Sequence, residues 1–262
     1  MARSFTYSAL VLRIRPSGES NREASFLTAE EGLIRAMVFG GPKSKLRAYV
    51  APFHRGTLWV YHDPVRDSRK VTDFDVQSWR PGIRESYERT MAASSLAETV
   101  LAAYGGGGNW PGGLLRADQA LDALDGADGE TCARIMVHFL WNWAELLGSR
   151  PPLNSCASCA CEAPGDGVLW FHKTEGILLC PSCAGIAPKP AGQNSAGRYD
   201  SAGILEPLGP GARRWLNTIA GLDPSLLARY GSDPRSFRQA KTLVTGITAG
   251  ILGKSLPTWD LW

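Results

Sequence analysis

The stretch Cys156-Ala157-Ser158-Cys159, followed after twenty residues by Cys180-Pro181-Ser182-Cys183, comes closest in this chain to dictating a structure. Two residues between cysteines allow a tight turn that aims both sulfurs the same way. Two such pairs can therefore surround one tetrahedral ion, and a single structural Zn2+ is the expected occupant. Four protein ligands leave no position open to water, which makes a staple and argues against zinc catalysis. Between the pairs, Val168-Leu169-Trp170-Phe171 and Gly176-Ile177-Leu178-Leu179 read as two short strands joined by a turn over residues 172–175. Disulfides, or four thiols without metal, are the rival arrangements. Cys161 and His172 are read as a bystander and a turn residue, and Cys132 as a small buried hydrophobe in a helical pattern.

Outward from this anchor, 262 residues with 44% hydrophobic and 20% charged content fit a soluble globular protein of more than one part. No run of eighteen apolar residues appears, and the start lacks the apolar core of a secretory signal. The expectation is a cytoplasmic protein without membrane segments, whose thiols stay reduced. The net charge of +3 is unevenly divided: residues 1–80 carry a net +5, residues 81–155 a net −4, and residues 156–262 a net +2. A basic N-terminal module facing a polyanion, beside an acidic helical one, is the reading that follows.

In the first eighty residues, Leu10, Leu12 and Ile14 alternate as one face of a strand. Residues 24–28 and 33–39 follow as a hairpin, and residues 57–61 and 71–79 add two more strands. Five strands in so short a span are expected to close into a barrel, which removes exposed edges. An OB-fold fits the strand count and basic excess; an SH3-like barrel would read almost the same. The segment Gly40-Gly41-Pro42-Lys43-Ser44-Lys45-Leu46-Arg47 reads as a loop whose three cations meet successive phosphates. Arg35, Arg55 and Arg22 are further DNA-binding candidates. Trp59 and Tyr61 are read as core aromatics, with base stacking as the alternative if they face outward.

Helical periodicity begins near Arg84 and runs to Tyr104, where Gly105-Gly106-Gly107-Gly108 stops it as a flexible connection. Helices are expected over residues 114–124 and 127–147, packed against one another. A loose loop over residues 185–201 precedes helices at 211–220 and from Ser232-Asp233-Pro234 to about Leu252. The architecture expected is α+β: residues 1–80 an OB-fold nucleic-acid-binding domain, and residues 81–262 a helical domain carrying the zinc module at about 154–186. No Walker loop, nucleophile elbow or His-Glu-x-x-His pair is present, so no enzymatic activity is expected.

The succession of parts resembles the RecO family of bacterial recombination mediators, in its zinc-bearing branch. The matching pieces are Arg15-Pro16-Ser17-Gly18-Glu19-Ser20-Asn21, Leu27-Thr28 with Gly32, and Lys43-Ser44-Lys45-Leu46-Arg47 leading to Pro52-Phe53. Glu145-Leu146-Leu147-Gly148, Pro152-Leu153 and the four paired cysteines with Gly176 complete the match. The resemblance implies binding to single- and double-stranded DNA through Lys43, Lys45 and Arg47, with Cys156, Cys159, Cys180 and Cys183 as metal ligands. It also implies annealing of strands coated by single-strand-binding protein, partnership with RecR, indirect action on RecA, and a place in the cytoplasm at the nucleoid. The alternative is a zinc-ribbon protein-interaction scaffold without intrinsic DNA binding.

Overall fold

The computed structural model describes residues 3–40, 44–186 and 204–262, which fall into two compact units. The first comprises Met1–Met136 with Asp260–Trp262, the second Val137–Trp259. No helix among the described residues is long and apolar enough to cross a membrane.

In the first unit, β1 (Ser4–Ser17), β2 (Asn21–Thr28), β3 (Gly32–Val38), β4 (Arg55–Asp63) and β5 (Ser68–Ser78) close into a barrel. Their order is β1-β2-β3-β5-β4, with β4 returning to β1 and a parallel β3–β5 contact at Met37 and Lys70. This is an OB-type barrel, as the strand count and charge suggested. Its interior is filled by Tyr7, Ala9, Val11, Ala24, Phe26, Ile34, Ala36, Leu58, Val60 and Phe74. Alternation along each strand puts one residue in two inside.

Strand β1 departs from simple alternation, as does β5, whose pairing with β4 shifts twice. The β1–β2 register shifts between Val11 and Arg13, so Val11 faces Phe26 and Ile14 faces Ala24. Such a bulge inserts one extra residue and turns the following side chains over. Leu10, Leu12 and Ile14 therefore do not share a face: Ile14 packs on the barrel core, while Leu10 lies opposite Leu27 outside it.

That outer apolar surface is covered. Helices α2 (Tyr87–Ala102) and α3 (Trp110–Asp125) pack on each other and on the β1–β2 side of the barrel. The Gly105–Gly108 connection between them is closely fitted at its first residue. All four glycines are left-handed, and a Cβ on Gly105 would stand 2.8 Å from Leu27 Cδ1 and 3.3 Å from Leu33 Cγ. Trp110 then lies over Gly32, where a Cβ would meet the indole at 2.6 Å.

Between β3 and β4 runs α1 (Lys45–Tyr49), a single helical turn where a loop was expected. Leu46, Tyr49 and Val50 pack onto the barrel core. The barrel's exit is pinned by Arg80, a left-handed residue (φ 47°) with a 4% exposed side chain. Its guanidinium donates to Phe53 O and Asp122 Oδ1, each at 2.7 Å, and to the Asp118 carboxylate. A buried charge is tolerable only with such saturation.

The division between units falls inside α4 (Gly129–Leu146). The second unit contains a three-stranded sheet in the order β7 (Ile177–Leu179), β6 (Leu169–His172), β8 (Leu205–Leu208). The expected hairpin between the cysteine pairs is thus β6 and β7, joined by a third strand. Helices α5 (Pro210–Ile219) and α6 (Pro234–Leu252) pack on each other, and Phe171 of β6 fits against Gly246 of α6. Asp233 caps α6, accepting from Arg235 N and Ser236 N at 3.1 and 3.0 Å, with Pro234 in the first turn. The loop expected over residues 185–201 lies, past Ile186, outside the described residues.

Candidate metal centre and nucleic-acid interface

Each cysteine pair forms a tight turn shaped by its own backbone. In the first, Ala160 N donates to Cys156 O at 2.9 Å with Ala160 left-handed (φ 57°), and Cys156 N donates to Cys161 O at 3.0 Å. In the second, Ala184 N donates to Cys180 O at 2.9 Å and Cys183 N reaches Cys180 Sγ at 3.5 Å. Ala157 N bonds Leu178 O at 2.8 Å, which joins the first turn to β7 and brings the pairs together.

The sulfurs of Cys156, Cys159, Cys180 and Cys183 all lie within 4.8 Å of one another, with Cys159 and Cys180 at 3.8 Å. Metal–sulfur bonds of about 2.3 Å in a tetrahedron require sulfur–sulfur edges of about 3.8 Å. The four thiols can therefore hold one metal ion. All six cysteines are free thiols in this structure.

The Cys161 N–H, with neighbouring thiols, brings Cys159 down to about 6, whereas burial pushes Cys183 up to about 12. Four adjacent thiolates need a cation to share their charge, and metal binding would release the remaining protons. Cys161 stands outside the four-sulfur group, and its carbonyl helps hold Cys156. His172 ends β6 with its Nδ1 accepting from Glu175 N at 3.1 Å, so it supports the turn. Cys132 is buried, and burial pushes its thiol up to about 11.

A residue that motif reading missed secures this module. Arg213 of α5 is 5% exposed and donates to four backbone carbonyls: Leu153 at 2.8 Å, Pro164 at 3.0 Å, Gly167 at 2.8 Å and Ala163 at 3.5 Å. It therefore ties the chain on both sides of the turn that carries Cys156 and Cys159. Nothing in the local sequence signals this, because its partners lie about fifty to sixty positions earlier.

On the barrel, the predicted cations separate into several settings. Lys43 lies outside the described residues. Lys45 is exposed on α1, and Arg47, half-buried, extends to Ser20 O at 3.4 Å. Arg35 is exposed on the outer face of β3, opposite Ser25, which in turn faces Arg13 on β1. Arg13, Arg15 and Arg35 are close enough that, after burial, Arg15 and Arg35 are the chief causes lowering the Arg13 pKa.

Arg22, at the start of β2 opposite Val38, falls in the inward-facing row at the barrel's mouth. Arg55 is engaged within its own unit, donating to Ser8 Oγ at 2.5 Å and Gly56 O at 3.1 Å and lying 3.6 Å from Asp118. The structure thus groups Arg35 with Arg13 and Arg15, and does not bring Arg22 or Arg55 into that group. Arg13 and Arg15 were not singled out in the sequence. Their two-residue spacing along a strand is the signal that could have found them.

Trp59 and Tyr61 correct another expectation. Leu58 and Val60 fill the core, so the two aromatics face outward, Trp59 36% exposed and Tyr61 accepting from Arg3 at 3.3 Å.

An OB-type barrel with an arginine row on its outer face, joined in one chain to a helical unit bearing four thiols able to hold a metal ion, defines the class of this protein. The chain belongs to the RecO family. Family models for "Recombination protein O N terminal" and "Recombination protein O C terminal" match residues 1–77 and 84–256. It is 32% identical over 188 residues to the DNA repair protein RecO of Pelotomaculum thermopropionicum, covering 71% of each chain. The RecO of Rubrobacter xylanophilus is 31% identical over 181 residues, 68% of this chain and 71% of that one. That of Geobacter metallireducens is 27% identical over 254 residues, 95% and 92% of the two chains. The expected family is therefore established, and with it a role in DNA repair and recombination.

Proposed function

We propose that this protein is a non-enzymatic recombination mediator that binds single- and double-stranded DNA and anneals complementary strands. In this reading residues 1–80 form the DNA-binding domain, and residues 81–262 carry the helices and a zinc module at about 154–186. The protein works in the cytoplasm at the nucleoid with RecR and single-strand-binding protein, and helps load RecA on coated strands. The observation that carries the reading is the mutual proximity of Arg13, Arg15 and Arg35 on one barrel face, with Lys45 exposed on α1. Three arginines against Glu23, the cross-strand neighbour of Arg15, leave this face with an excess of cations that suits a polyanion, and phosphate contact holds two strands close without reading their sequence. Four thiol sulfurs within 4.8 Å of one another suit Zn2+ in a closed, structural site.

The test is annealing of complementary oligonucleotides precoated with single-strand-binding protein, comparing the natural chain with a triple charge reversal of Lys43, Lys45 and Arg47. The natural chain should anneal and the variant should lose most activity. Three phosphate contacts predict a log–log salt slope of about −2 for single-strand binding, which the variant should lack. Annealing that survives the reversal would remove these three residues from the DNA contact. No annealing by either folded chain would favour a protein-binding scaffold.

A further inference from the structure

Trp79, immediately after β5, is the most exposed tryptophan of the chain at 46%. An indole so exposed is usually loosely held, but this one is braced. The Tyr49 ring stands 5.6 Å from it at 82°, and the His54 ring 5.0 Å from it at 65°. Neither neighbour lies parallel over it.

The braces are themselves fixed. Tyr49 is the last residue of α1 and packs on the barrel core. His54 is 2% exposed, with Nδ1 2.8 Å from Tyr49 O and Nε2 3.0 Å from Arg84 Nη2. Each brace has a cation in its own neighbourhood. Lys45 precedes Tyr49 by four residues, so the two share a face of α1. Arg84, exposed, donates to Pro52 O at 3.2 Å and to His54 Nε2 on the ring that braces the indole.

We propose that Trp79 is a stacking platform for a nucleobase of single-stranded DNA, with Lys45 and Arg84 holding the phosphates on either side. The proposal rests on the DNA-binding reading above and adds strand preference to it. A rigid exposed indole loses little freedom on binding, and a base of any identity can stack on it. Bases within a duplex are already stacked and paired, so they cannot reach the ring. The cations would serve both kinds of strand, and the indole only one.

The test measures anisotropy of a labelled twenty-nucleotide thymidine strand, the same strand in duplex, and a strand of equal length lacking bases. Stacking of one base is worth about 1–3 kcal/mol, so Trp79→Ala should weaken single-strand binding by roughly tenfold. Duplex affinity should stay unchanged, and Trp79→Phe should restore most of the loss. The natural chain should also bind the abasic strand roughly tenfold more weakly than the normal one, a comparison that needs no variant to fold.

Equal loss on single strand and duplex, or equal affinity of the natural chain for normal and abasic strands, would overturn the platform while leaving DNA binding intact. A natural chain that binds neither strand would overturn the DNA-binding reading and this site together.

Discussion

His54 illustrates how much a single side chain can decide without any motif to announce it. Its ring is buried, and its partners set the tautomer: Nδ1–H donates to Tyr49 O, so Nε2 must accept from Arg84. Burial lowers its pKa below the ordinary histidine value, and the charges of Arg84 and Arg80 lower it further. A proton on Nε2 would face a guanidinium. The unfolded chain therefore takes up protons first as pH falls, and folding loses the contribution of this residue below about pH 6.5, the unfolded histidine value. Denaturant midpoints of the natural chain should drop between pH 7.5 and 5, and His54→Gln should flatten that dependence. An unchanged slope in the variant would assign the titration elsewhere. No motif surrounds His54 in the sequence: Tyr49 is near, but Arg84 is thirty positions away. Arg80 was equally illegible, since neither its left-handed backbone nor its pairing with Asp118 and Asp122 follows from neighbouring residues.

Among elements, the strands were legible because alternation is a local property, and the bulge after Val11 was not. One extra residue leaves the pattern Leu10-x-Leu12-x-Ile14 looking uninterrupted while moving Ile14 to the other face. The turn α1 escaped notice because five residues are too few for a helical period. For the glycine connection, composition does not reveal that Leu27 and Leu33 lie beneath Gly105. Gly105→Ala should force a left-handed alanine and press a methyl on Leu27, costing about 2–4 kcal/mol and lowering the melting temperature. Gly126→Ala, where a Cβ meets nothing within 4 Å and φ is −116°, should be close to neutral. Equal melting of the two variants would return the connection to a loose linker. The cysteine turns were the most legible elements of all, because paired spacing encodes their geometry directly.

At the scale of the molecule, charge and metal are the two properties a solution experiment can address. The basic excess predicted for the N-terminal part resolves into an arginine row on one barrel face, and the four thiols into a site for one ion. A structural ion of this kind contributes to folding outright. Cys156→Ala and Cys183→Ala should each lower metal content measured on the purified chain and reduce soluble yield, whereas Cys161→Ala should keep one ion per chain. Full metal content and unchanged melting in Cys156→Ala would refute the four-thiol assignment. The Arg213 grip has a consequence for the order in which a ribosome releases the parts. The last cysteine, Cys183, is made thirty residues before Arg213. At about 5–20 residues per second, that leaves a gap of roughly two to six seconds. During this interval the nascent hairpin has its full set of thiols while the carbonyls of Leu153, Ala163, Pro164 and Gly167 still face water, so metal capture can precede closure and template it.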